Sequence, residues 1–160
     1  MAQSQSIREQ IARLLDWKEA HAGFEAAVSD LAPELQGQRP AGAPYSPWQL
    51  LEHLRIAQHD ILDFCVNPQY KEMSWPDDYW PRSPEPSSPK AWAESVSQFQ
   101  RDRAALQRLA RDPTIDLEAR IPHGTGQTYL RELLLVADHT AYHVGELVLL
   151  RRFLGAWPKK

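Results

Sequence analysis

The thirteen prolines of this chain fall where they divide it. A proline inside a regular helix removes a backbone hydrogen bond and collides with the preceding turn. Four long stretches escape it, 1–32, 48–67, 90–112 and 123–157. Each carries apolar residues at helical rather than strand spacing. The pattern predicts an all-α chain, a four-helix bundle forming a single domain over residues 1–160.

The first predicted helix runs from about Ser4 to about Leu35. Ile7, Ile11, Leu14, Leu15, Lys18, His21, Phe24 and Val28 share one face, and Pro33 ends the main body near Leu31. The second opens on Ser46-Pro47. Serine is a good N-cap, proline suits the first helical position, and Gln49 completes a capping-box pattern. Its apolar residues run through Leu50, Leu51, Leu54, Ala57, Ile61 and Phe64, and it stops before Asn67-Pro68.

Pro68 to Pro89 holds six prolines. A loop this long within one domain is usually functional or disordered, and Trp75, Tyr79 and Trp80 argue for order. An ordered loop over one end of the bundle is expected, its aromatics either lining a site mouth or pinning the loop. The third helix starts at Ser87-Ser88-Pro89 and ends near Arg111. Its buried stripe is Trp92, Val96, Phe99, Ala105 or Leu106, and Leu109. A connection with one extended piece, Asp116 to Ile121, leads to a last helix from Gln127-Thr128 to about Leu154. Gly155 is its stop.

Charge and cysteine content narrow the function. The formal net charge is −3 and the basic residues are scattered, which excludes a nucleic-acid footprint. Cys65 is the single cysteine, so neither a disulfide within the chain nor a cysteine zinc knuckle is possible. The N-terminus lacks the basic start and apolar run of a secretory signal. Leu133 to Leu150, the most apolar stretch, is broken by Asp138, His139, His143 and Glu146, so no membrane span is expected. These features fit a cytoplasmic protein.

The segment Ala137-Asp138-His139-Thr140-Ala141-Tyr142-His143 carries the chemistry. His139 and His143 stand four apart, so both rings leave one helix face. That spacing offers two nitrogen ligands to one metal. Glu132, Leu135, Val136, Glu146, Leu147 and Leu150 share the face, so it points inward. Buried imidazoles need partners, either carboxylates or a metal. His53 lies on the apolar face of the second helix, whereas His59, six positions on, points elsewhere. Three inward histidines would leave coordination positions open, as catalytic sites do. Histidines four apart suit one small ion better than the two faces of a haem.

His53 and the run from Ala137 to Gly155 resemble the DinB-like (DinB/YfiT) superfamily of metal-binding four-helix bundles. The Pro47-Trp48-Gln49-Leu50-Leu51-Glu52-His53-Leu54 opening and Gly126-Gln127-Thr128 share in the resemblance. It covers nearly the whole chain and implies His53, His139 and His143 as ligands to a divalent ion, zinc, nickel, iron or manganese. It also implies a homodimer. Relatives with assigned activities are mainly thiol-dependent transferases and isomerases using a low-molecular-weight thiol on a small electrophile. Others are without assigned activity, so a metal-dependent hydrolase and a non-catalytic stress-response protein stay open. Relatives commonly carry glutamine where this chain has Glu146. That residue is the candidate catalytic group, as a general base, a further ligand or a partner to an imidazole. Asp60 and Glu132 are weaker candidates two turns from His53 and His139, while Tyr142 is expected to pack on a neighbouring helix. Trp157 is expected to pack the tail. Cys65 reads as a small buried hydrophobe, so a nucleophile must come from a thiol cosubstrate or water.

Overall fold

Ser46 caps its helix as its sequence demands. In the computed structural model, which describes residues 2–158, the Ser46 hydroxyl accepts the Gln49 amide and the Gln49 side chain accepts the Ser46 amide, both at 3.2 Å. Met1, Lys159 and Lys160, the ends of the expected domain, lie outside the described residues. The cap opens α4 (Pro47–Val66), after α1 (Ala2–Leu14), α2 (Phe24–Val28) and α3 (Pro33–Gln36). α5 (Ala91–Arg111) and α6 (Tyr129–Phe153) follow. There is no strand among the described residues. The expected extended piece contributes one isolated bridge, Arg120 to Thr128.

α4 packs against both α5 and α6, α1 lies on α5, and α2 lies on α6. Leu50, Leu51 and Leu54 of α4, Phe99 of α5 and Leu147 of α6 are fully buried around one core, where the Phe24 and Phe99 rings stack at 3.9 Å. A second core gathers Leu106, Ile121 and Leu133. Burial of side chains this size contributes roughly 1.5–3 kcal/mol each.

The first helix departs from its prediction. It stops at Leu14, the chain runs irregularly to Gly23, and two short helices follow. Lys18 and His21 therefore sit in a connection and not on a helical face. The cause is Arg103 of α5, 9 % exposed. A guanidinium so enclosed requires carboxylates. It takes Asp16 at 2.8 Å and also Glu25, which lie on either side of the break. Lys18 closes the network on both carboxylates at 3.3 and 3.4 Å. A straight helix would carry Asp16 and Glu25 too far apart to share one arginine. Asp30, at φ 53°, then turns the chain between α2 and α3.

The other boundaries move little. α5 begins at Ala91, two residues beyond Pro89, without a side-chain cap. α6 begins at Tyr129 because Thr128 is its N-cap, accepting the Arg131 amide at 3.2 Å. At its far end Arg151, 2 % exposed, donates to the carbonyls of Ala26, Ala27 and Ser29 and fixes α2 on α6. Trp157 packs beneath Arg151 and against the core. By length and composition α6 is apolar enough to cross a membrane, with mean hydropathy 1.3 over an 18-residue window. In this fold it packs on α4 and α2 and carries two of the candidate ligands.

Candidate metal centre

His53 leaves the middle of α4 and is 1 % exposed. His139 and His143 leave α6 one turn apart, where it lies against α4. One ligand atom from each of the three rings falls within 4.8 Å of the others. The Nε2 atoms of His53 and His139 are 3.0 Å apart.

Two contacts fix which nitrogen each ring presents. His53 Nδ1 lies 3.0 Å from the Tyr79 carbonyl. A carbonyl only accepts, so Nδ1 carries the hydrogen and Nε2 keeps its lone pair. His143 Nδ1 donates to Glu146 Oε2 at 2.7 Å, which leaves Nε2 as the nitrogen that this ring can present to an ion. Carbonyl and carboxylate partners behind imidazoles are the usual supports of metal-ligating histidines. Glu146 thus occupies one of its anticipated places, as partner to an imidazole.

The donor set fits one small divalent ion. Burial, and then the neighbouring His143, lower the His53 pKa to about 4, although the Tyr79 carbonyl works the other way. Burial, and then His143 and His53, lower His139 to about 3. Both are neutral at pH 7, the form that binds metal. Nitrogens about 2.0–2.1 Å from a common ion stand about 2.8–3.4 Å apart at coordination angles near 90–109°. The 3.0 Å between two Nε2 atoms, with all three donors within 4.8 Å, is close to that arrangement.

The proline-rich loop forms one wall. Trp80 stacks flat on His53, with ring centres 3.8 Å apart and planes at 4°, and Tyr45 stacks on the far face of Trp80, also at 3.8 Å. Tyr79 bridges two levels of α4: its carbonyl holds His53, and its hydroxyl donates to Asp60 at 2.6 Å. Tyr70 donates to the same carboxylate at 2.9 Å. Burial, and then those bonds to Asp60, raise both phenols above their ordinary range. The loop is tied to the start of α4, where the Gln49 amide donates to the Pro81 carbonyl at 3.0 Å. Trp75 stays 68 % exposed, 6.4 Å from the His53 ring. Trp80 therefore both lines the site and pins the loop.

The remaining candidates lie elsewhere. Asp60 is taken by the two tyrosines. Glu132, buried, pairs with Arg131 at 2.7 Å. His59 faces Asp102 of α5 at 3.1 Å, as its helical phase foretold. Tyr142 does not pack on a neighbouring helix: it is 65 % exposed, its ring edge-on to His143 at 4.8 Å. Cys65 is buried, and desolvation with the nearby Glu132 pushes its thiol up to about 12. Sequence reasoning left open the aromatic that flanks His53 and missed the carbonyl that orients it. The loop aromatics were a signal for the first; a backbone carbonyl leaves none.

Cavities of about 260, 400 and 250 Å³ border α6 among the described residues. None of these is lined by the imidazoles. The third ends on Glu146 and is otherwise walled by apolar groups from Ala41–Tyr45, Leu50, Leu149, Leu150 and Phe153.

No curated protein and no solved structure matches the chain at a significant level. The model of one protein family does match, over residues 16–147, a span holding all three histidines, all of α4, and α6 as far as Leu147. On that match the chain belongs to the DinB superfamily.

Proposed function

We propose that the four long helices α1, α4, α5 and α6 act as a bundle that holds one divalent ion on His53, His139 and His143. The observation that carries this reading is the convergence of three imidazoles, two of them oriented from behind by Tyr79 and Glu146. On this reading the protein is a metal-dependent thiol S-transferase, joining a low-molecular-weight thiol to a small electrophile in a reducing cytoplasm. When bound, the ion would favour thiolate over thiol. Glu146 keeps His143 in its ligating tautomer through Oε2. Its side chain is about one-third exposed, and on this reading Oε1 receives the thiol proton. Cys65 is no rival nucleophile, being buried and protonated at neutral pH.

The test is conjugation of monochlorobimane to bacillithiol, mycothiol or glutathione by the metal-loaded protein. Turnover above the metal-free rate is expected with at least one thiol, and none with any of them rejects the transferase. A second reading, a non-catalytic metal-binding protein, draws on the burial of His53 and His143, 1 % and 9 % exposed. It predicts stoichiometric metal with no turnover. A hydrolase using metal-activated water would instead cleave esters or amides without added thiol.

A further inference from the structure

The cavity of about 400 Å³ between the second half of α4 and the start of α6 lies apart from the three imidazoles. Asp60, Glu72 and Glu132 bring it three carboxylates, against the one guanidinium of Arg131. Phe64, Tyr70 and Tyr79 give it aromatic walls. Gly124 closes the wall beside Phe64, where a Cβ would stand 2.9 Å from both the Phe64 ring and the Gln127 amide oxygen.

Its polar lining is set to accept hydrogens. Tyr70 and Tyr79 both donate to Asp60, at 2.9 and 2.6 Å, so each phenol oxygen has only lone pairs left to offer. His123 Nε2 lies 2.8 Å from the Phe64 carbonyl, so in the neutral ring Nε2 carries the hydrogen and Nδ1 accepts. Glu132 is 2 % exposed, and Arg131 donates to its Oε1. Its Oε2 accepts no hydrogen bond among the described residues. A carboxylate oxygen so enclosed is costly without a donor. The donor is called for from outside the chain.

We propose that this cavity binds a small organic cation through a primary ammonium head. An ammonium carries the charge that three carboxylates against one guanidinium favour, and the N–H donors that the phenol oxygens and Glu132 Oε2 can accept. The tyrosine and phenylalanine faces attract the same cation. A bare metal ion fits less well. Among the described residues the group of side chains that brings three donor atoms within 4.8 Å of one another is the three imidazoles, and these carboxylates do not converge in that way. A ligand with a body to span the cavity meets them instead. An anion is opposed by the charge of the lining. The inference stands apart from the metal reading.

Isothermal titration calorimetry of the full chain tests it. The probes are n-butylamine and phenethylamine, with n-butanol and phenethyl alcohol as their neutral counterparts, each titrated with and without zinc. At least one amine should bind once per chain, roughly tenfold or more tighter than its alcohol, as a charge-assisted hydrogen bond implies. Its affinity should be the same with and without zinc. Glu132→Gln and Glu72→Gln should each weaken that amine and leave the alcohols unchanged, with an unaltered helical circular dichroism spectrum. Glu72 is exposed, so its variant decides the matter even if the buried Glu132→Gln fails to fold. The proposal is overturned if neither amine binds, if each binds no tighter than its alcohol, or if Glu72→Gln and any folded Glu132→Gln protein keep wild-type affinity. Binding that requires zinc would place the amine on the ion and would equally overturn it.

Discussion

His53 Nε2 and His139 Nε2 lie 3.0 Å apart, from positions 86 residues apart in the chain. His53 Nε2 presents a lone pair there, and either a hydrogen on His139 Nε2 or a cation held by both nitrogens fills the gap. The third imidazole, with one donor atom from each of the three rings within 4.8 Å of the others, favours the cation. Alanine at His53, His139 or His143 should therefore reduce bound metal from one ion per chain toward none, measured by mass spectrometry after dialysis. Unchanged metal content in the His143→Ala protein would remove the triad.

Glu146 is expected to act on metal affinity through His143. Glu146→Gln keeps an acceptor for His143 Nδ1 but loses the charge, and Glu146→Ala loses both. Removing such a supporting partner typically lowers metal affinity about 10–100-fold. Chelator competition should rank wild type above glutamine above alanine. Equal affinities for all three would show that the 2.7 Å contact has no bearing on the site.

Trp80 should report the metal optically. Its ring lies 3.8 Å from that of His53, so an open-shell ion such as nickel or cobalt on His53 should quench it. Trp80→Phe should still bind the ion but lose most of the quenching. Quenching that survives this substitution in full would come from another tryptophan.

The Arg103 network makes a prediction about acid. Burial works to raise the Glu25 pKa, but the Arg103 hydrogen bond and charge overcome it, and the carboxyl falls to about 2 from 4.5. Between those values the unfolded chain binds the proton and the folded chain does not. The contribution of Glu25 is thus fully present above about pH 4.5 and fades as pH falls toward 2. Glu25→Gln should lower the urea midpoint at pH 7 and flatten its fall between pH 4.5 and 2. An acid slope identical to wild type would mean that the pairing does not stabilise the fold.

Two simpler outcomes bear on packing and on the source of any nucleophile. Phe99→Ala should cost about 3–5 kcal/mol in urea unfolding, since Phe99 is fully buried at the centre of one core. Cys65 should resist thiol reagents in the native protein and react after unfolding, and Cys65→Ala should leave any thiol-transferring activity intact. Loss of activity in that variant would bring the nucleophile back inside the protein.

Local rules made much of this molecule legible. The Ser46–Gln49 box and the proline spacing placed α4 correctly, and helical phase admitted His53 while turning His59 away. The first helix misled for a physical reason. Periodicity from Ile7 to Val28 is a local signal, and it was overridden by a buried guanidinium contributed some eighty residues later in the chain. The loop behaved similarly. Its aromatics could be seen in the sequence, but whether Trp80 reached His53 depended on how Pro81 and Pro84 met the start of α4. Glu146 was legible as a neighbour of His143, because residues three apart on a helix are adjacent.

The span between His53 and His139 has one more consequence. With a single cysteine the chain cannot be cross-linked within itself, yet one ion shared by these two histidines would close a loop of 86 residues. By the chain-entropy treatment used for disulfides, a closure of that length removes about 4–5 kcal/mol of freedom from the unfolded ensemble. The ion would then act as a removable staple between the second and last long helices, locking their register whether or not it also turns over a substrate.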